Sequence, residues 1–104
     1  MCPYEELVVN ESGYVIRCRQ CQHFQVFFGG IVLSLSKKEF VQMQQELSTV
    51  PEQPFSRISK SIMVATPKRG VHLWLSPAEI ANLFQLLDEA DTERQTKELF
   101  ALFQ

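Results

Sequence analysis

The chain has 104 residues and a mass of 12.0 kDa, enough for one small domain with a single core and too little for a multidomain enzyme. Its apolar fraction of 45% and charged fraction of 21% are those of an ordinary globular chain, which excludes disordered, collagen-like and membrane-spanning compositions. Ten Lys and Arg against twelve Asp and Glu leave a net charge of -2, which argues against phosphate binding by the surface as a whole.

The chain opens MCPYEEL, acidic and without the apolar core of a signal peptide, and no apolar run approaches a membrane span. A cytoplasmic location with no membrane partner is therefore expected. The three cysteines, Cys2, Cys18 and Cys21, are an odd number without a secretion signal, so reduced thiols are expected rather than a disulfide framework. An additional strand is expected near Leu7 to Val9 or Tyr14 to Arg17.

Cys18-Arg-Gln-Cys21-Gln-His23 then places three soft or borderline metal ligands within six residues. A two-residue gap lets a tight turn aim two sulfurs at one ion, and zinc takes four such ligands in a tetrahedron. Cys2 is the expected fourth ligand, with His72 in reserve, and the expected cofactor is a structural zinc. The competing reading is packing, since cysteine often serves as a small apolar side chain. The turn also lacks the glycine common in metal-binding knuckles. A redox use needs a lowered thiol pKa, usually at a helix N-terminus; this motif precedes a strand and has only Arg17 and Arg19 to favour a thiolate.

Phe24 to Phe28 and Ile31 to Leu35 flank Gly29-Gly30, a two-residue hairpin turn. That turn pairs Phe28 with Ile31, Val26 with Leu33 and Phe24 with Leu35 on one face, and leaves Phe27 with Val32 and Gln25 with Ser34 on the other. From about Ser36 to Ser48, Phe40, Met43 and Leu47 recur at helical spacing and form a narrow apolar stripe. Pro51 and Glu52 to Pro54 read as a linker.

At an offset of 40 residues the chain resembles itself. Gly30/Gly70, Leu33/Leu73, Leu35/Leu75, Ser36/Ser76, Glu39/Glu79, Gln45/Gln85 and Leu47/Leu87 are identical without a gap. Ser36 with Glu39 and Ser76 with Glu79 are both S-x-x-E capping boxes, and Pro77 suits the first helical position. The second unit is expected to run from about Arg57 to Ala65, turn through Thr66 to Gly70, return through Val71 to Leu75, and enter a helix carrying Ile80, Leu83, Phe84 and Leu87. The expected architecture is one domain over 1-104, α+β, in which two ββα repeats, about 17-50 and 57-90, share one mainly antiparallel sheet with helices on one face. A last helix is expected over about 92-103, with Glu93 and Lys97 as an i, i+4 pair. Its Leu99, Phe100, Leu102 and Phe103 either dock on the domain's own core or, through Phe100 and Phe103, contact a partner.

Strand alternation turns His72 and Trp74 away from Val71, Leu73 and Leu75. In a shared sheet, the uncovered face holds Phe27, Val32, His72 and Trp74, joined by Met63. This semi-apolar composition suits an interface centre, and the competing reading is that a terminal segment covers it. No Ser, Cys or carboxylate is placed by sequence to activate or be activated by His72, so no enzyme is expected.

Charge divides unevenly. Arg17, Arg19, Lys37, Lys38, Arg57, Lys60, Lys68 and Arg69 face only Glu39, Glu46 and Glu52 across Ser12 to Leu75, whereas Glu79 to Glu98 is acidic. A basic sheet with aromatics can bind single-stranded nucleic acid by stacking, which makes a nucleic-acid-associated protein the alternative. No ribonucleoprotein-type motif or glycine-rich phosphate loop accompanies it.

With Cys18-x-x-Cys21-x-x-Phe24-Gln25-Val-x-Phe-Gly29 followed by an apolar strand and Leu-Ser-x-x-Glu-Phe, the chain resembles a family of small bacterial proteins of unknown function. These share a C-x-x-C-x-x-F-Q motif leading into the hairpin. The resemblance spans most of the chain and implies no activity. The expected role is a small binding domain with a protein partner or a second copy of itself.

Overall fold

The local signals for turns and caps are realised in the computed structural model, which describes residues 3-49 and 62-103. β1 (Tyr4–Asn10) and β2 (Gly13–Cys18) are joined by a turn that Asn10 organises: its side-chain oxygen accepts from the Ser12 and Gly13 amides at 2.7 and 3.3 Å. Gly13 has no substitute here, because a Cβ at that position would strike the Phe27 carbonyl oxygen. β3 (Phe24–Phe28) and β4 (Ile31–Leu35) follow in the expected register, Phe24 opposite Leu35 and Phe27 opposite Val32. Gly29 has φ 61° while Gly30 is outside the positive region, the pattern of a type II′ turn with glycine first.

Both capping boxes form. The Ser36 and Ser76 hydroxyls accept from the Glu39 and Glu79 amides at 3.2 Å, and each glutamate accepts in return from its serine's amide. They open α1 (Lys37–Ser48) and α2 (Pro77–Ala101). Between the helices, β5 (Ile62–Ala65) and β6 (His72–Leu75) form a hairpin closed by Thr66 and by Gly70 at φ 81°. The first part of the expected strand, residues 57-61, and the linker at 51-54 lie outside the described residues.

Two expectations are corrected. The strands form not one sheet but two among the described residues: a four-stranded antiparallel meander in the order β1-β2-β3-β4, and the separate β5-β6 pair. Two N-terminal strands, where one was expected, extend the sheet beside β3 and give α2 a surface to lie on, while β5-β6 packs against the helices. The expected break near Ala90 is also absent, and α2 continues for 25 residues where a separate last helix was expected. Its apolar side is longer than the sequence stripe suggested: Ile80, Leu83, Leu86, Leu87 and Ala90 are buried, while Phe84 stays partly exposed.

The core lies between the helices and one face of the large sheet. Val15, Phe24, Val26, Phe28, Leu33 and Leu35 point into it from the strands, and Phe40, Met43 and Leu47 from α1. Phe24 and Phe40 stack with ring centres 4.4 Å apart. No described helix is long and apolar enough to cross a membrane.

Candidate interaction surface and cysteine turn

The helices cover one face of the four-stranded sheet, and alternation assigns the other face directly. Tyr4, Glu6 and Val9 of β1, Tyr14 and Ile16 of β2, Gln25 and Phe27 of β3, and Val32 and Ser34 of β4 lie there. The strand register strings four of them into one line: Val9 opposes Tyr14, Tyr14 opposes Phe27, and Phe27 opposes Val32. Tyr14 and Phe27 stack at 4.0 Å with planes 16° apart. Val9 is 58% and Val32 52% exposed, so this apolar row crosses the whole sheet in contact with solvent. Its neighbouring row, Glu6, Ile16, Gln25 and Ser34, carries a single charge, and that charge is negative.

The surface residues expected from sequence are thus divided. Phe27 and Val32 are direct partners on the large sheet, whereas His72 and Trp74 belong to β6 in the small one. There Trp74, 53% exposed, opposes the exposed Met63, and His72 opposes Ala65. Val9 and Tyr14 were missed by sequence reasoning because the N-terminal strands were left unplaced. The signal that would have found them is the Asn10-Glu-Ser-Gly13 turn between two apolar, alternating runs.

A third apolar surface is the end of α2. Leu99, Phe100, Leu102 and Phe103 are all more than half exposed, Phe103 at 80%, so docking on the domain's own core does not occur. An open depression also runs along the outer side of α1, lined by Lys37, Lys38, Val41, Gln42 and Gln45.

The charges regroup on folding. Arg17 is buried at 5% exposure on the core side of the sheet and donates to Glu5 through Nε at 2.9 Å and to Glu98 of α2 at 3.0 Å. Glu98 accepts through its other oxygen from Arg94, which also donates to Asp91. Arg19 pairs with Glu5 at 3.5 Å and Lys68 with Glu39 at 2.9 Å. Burial alone would push the Glu5 carboxyl up, but the Arg17 hydrogen bond and the charges of Arg17, Lys97 and Arg19 hold it below the usual carboxylate range. Glu39 is held low by the Ser36 amide and by Lys68. Of the basic residues that sequence grouped together, Arg57 and Lys60 lie outside the described residues. Among those described, Lys37, Lys38 and Arg69 are the ones without an ion pair.

The cysteine segment forms a closed turn at the end of β2. Cys18 donates its amide to the His23 carbonyl at 2.8 Å, and Gln22 donates back to the Cys18 carbonyl at 3.0 Å. The Cys21 amide lies 3.4 Å from the Cys18 sulfur and donates to it. Cys18 is buried and Cys21 exposed. Cys2 lies outside the described residues, and His72 is on the other sheet.

Neither curated proteins nor solved structures offer a match to the chain. A family model described as a family of unknown function (DUF6686) matches residues 1–102.

Proposed function

The chain belongs to this family of unknown function, and with no activity to take over from it we propose that it is a non-catalytic interaction domain that pairs with a second copy of itself. The observation that carries the reading is the row Val9, Tyr14, Phe27 and Val32, which crosses all four strands on the face without helices. Water-facing strands are normally polar, and this face has aromatic and branched side chains at its centre with polar ones beside them. A twofold pairing brings the row against its own copy, so one surface serves both subunits. The row carries no cation to approach a phosphate backbone, which favours protein over nucleic acid as the occupant.

Sedimentation equilibrium over a range of concentrations tests this. Reversible dimerisation that changes little between low and high salt is expected, with a dissociation constant raised about tenfold or more in Phe27→Ser, a change of about 1.4 kcal/mol. Trp74→Ala is expected to leave the dimer intact. A chain that stays monomeric at every concentration reached sinks the proposal. Tight binding of a single-stranded oligonucleotide that collapses with added salt would replace it with the nucleic-acid reading.

A further inference from the structure

We propose that the outer edge of β4 takes up an extended segment of another protein as an added antiparallel strand, one that is acidic on its N-terminal side and apolar after it. The inference does not rest on self-association.

The hairpin fixes which backbone groups are on offer. The residues that flank a two-residue loop exchange both backbone bonds, so Phe28 and Ile31 are a bonded pair, and alternation makes Val26 with Leu33 and Phe24 with Leu35 the next two. Ile31, Leu33 and Leu35 are thereby committed to β3. Val32 and Ser34 lie between them, and their N–H and C=O groups turn the other way, out of the hairpin. Among the described residues β4 is the last strand of its sheet. Its outer side thus presents two donors and two acceptors in the plane of the sheet, a pattern that the backbone of another extended chain matches group for group.

The two edges of this sheet are built differently. β1 carries Glu5 and Glu6, and its register shifts between Glu6 and Val8, features that turn a further strand away. Ile31-Val-Leu-Ser-Leu35 has neither charge nor proline, its register with β3 is regular, and Ile31 and Val32 are 37% and 52% exposed.

The surroundings of the edge select the chemistry of the added strand. In an antiparallel register the incoming residues opposite Ser34 and Val32 make the bonded pairs and put their side chains on the helix-free face. The one opposite Val32 extends the row Val9, Tyr14, Phe27 and Val32 and is therefore apolar. The one opposite Leu33 falls on the helix-covered side, beside the core, and is apolar too. Toward its own N-terminus the segment passes Ser36, where β4 gives way to α1, and approaches Lys37 and Lys38. Both lysines are exposed, and among the described residues neither has an ion pair. Acidic residues at that end of the segment supply their countercharge.

The test uses the full chain and a fluorescein-labelled peptide, Asp-Asp-Val-Thr-Leu-Ile-Thr, whose Thr-Leu-Ile stands opposite Ser34, Leu33 and Val32. Saturable binding below about 1 mM is expected by fluorescence anisotropy. Methylating the two peptide amides that face Ser34 and Val32 should weaken it about tenfold or more. Ser34→Pro removes an outward N–H, which an edge strand tolerates, and should cost about as much. Lys37→Glu with Lys38→Glu alters two exposed side chains and should weaken binding about tenfold, while a peptide opening Lys-Lys should then bind better than one opening Asp-Asp. In hydrogen exchange the Val32 and Ser34 amides should be fast in the free chain and slowed about tenfold or more by the peptide. Phe27→Ser should bind the peptide within about twofold of wild type, so a failure of dimerisation is read separately. No saturable binding to folded protein would overturn the proposal, as would undiminished binding by the methylated peptide or by either edge variant. Slow exchange at Val32 and Ser34 before any peptide is added would overturn it too, because the edge would then already be held by this chain or by a second copy.

Discussion

From Pro77 to Ala90, α2 turns Ile80, Leu83, Leu86, Leu87 and Ala90 into the core; from Asp91 to Ala101 the same helix meets the sheet through Arg94, Glu98 and the buried Arg17. The first half lies over the hairpin turn of β1 and β2, where Leu86 approaches Gly13 and Asn10 donates to Glu89. The second lies over the strands' other end, where Glu5 opposes Arg17 one residue from the last pair, Tyr4 and Cys18. Past Glu98, Leu99, Phe100, Leu102 and Phe103 are each more than half exposed, and among the described residues nothing covers them. One helix therefore combines apolar burial, a shared ionic cluster and an unburied end.

The largest effect is expected in the first half. Leu87→Ala removes a fully buried side chain of α2 from the core and should lower stability by about 2–5 kcal/mol, read from urea unfolding. A change below about 1 kcal/mol would mean that the first half is not the apolar anchor.

The ionic half should respond less to truncation and more to charge. Glu5→Gln keeps the shape and removes the carboxylate that Arg17 engages, leaving a buried guanidinium with Glu98 as its remaining acid. The expected loss is about 2 kcal/mol, because the remaining partner is half exposed and water can reach it. Replacing Arg17 by Met in the same variant should restore part of that loss, since an uncompensated buried charge costs more than a missing pair.

The apolar half was legible in the sequence because spacing alone reports it: Ile80, Leu83 and Leu87 mark the face, and Ser76 with Glu79 marks its start. The ionic half was not legible. Arg17 sits at a strand position where alternation predicts inward, but an arginine reads as solvated until a carboxylate from α2, 81 residues away, is known to meet it. The same holds for the candidate surface. Phe27 opposite Val32 follows from a two-residue turn, whereas Tyr14 beside Phe27 depends on β2 pairing with β3 across the cysteine turn, whose length fixes no register by pattern alone. The self-similar segments predicted both caps but not the sheet, since pairing depends on which edge is open and not on how a helix begins.

Acid should separate the halves further. The carboxyls of Glu5 and Glu39 sit below their unfolded value of about 4.3, so the unfolded chain takes up protons first as pH falls. Their stabilisation is present above that value and is lost as pH drops through it toward the folded values. Unfolding free energy measured from pH 7 to pH 3 should therefore fall below about pH 4.3. The fall should be shallower in Glu5→Gln, while Leu87→Ala should retain the wild-type slope. Equal slopes in wild type and Glu5→Gln would remove the ionic cluster as the source.

The smallest effect on stability belongs to the end of α2. Phe100→Ser with Phe103→Ser takes two rings out of water rather than out of the core, so unfolding free energy should stay within about 0.5 kcal/mol of wild type. If the helix-free face is the contact between copies, the double variant should dimerise as wild type does while Phe27→Ser does not. If the dissociation constant instead rises more in the double variant than in Phe27→Ser, the tip is the principal contact. A tip seated on a different surface of a neighbour would make the association heterologous, and such contacts close into rings or continue into chains. The concentration dependence of mass then decides the matter, because a face-to-face pair stops at two copies and an open tip-to-face contact does not.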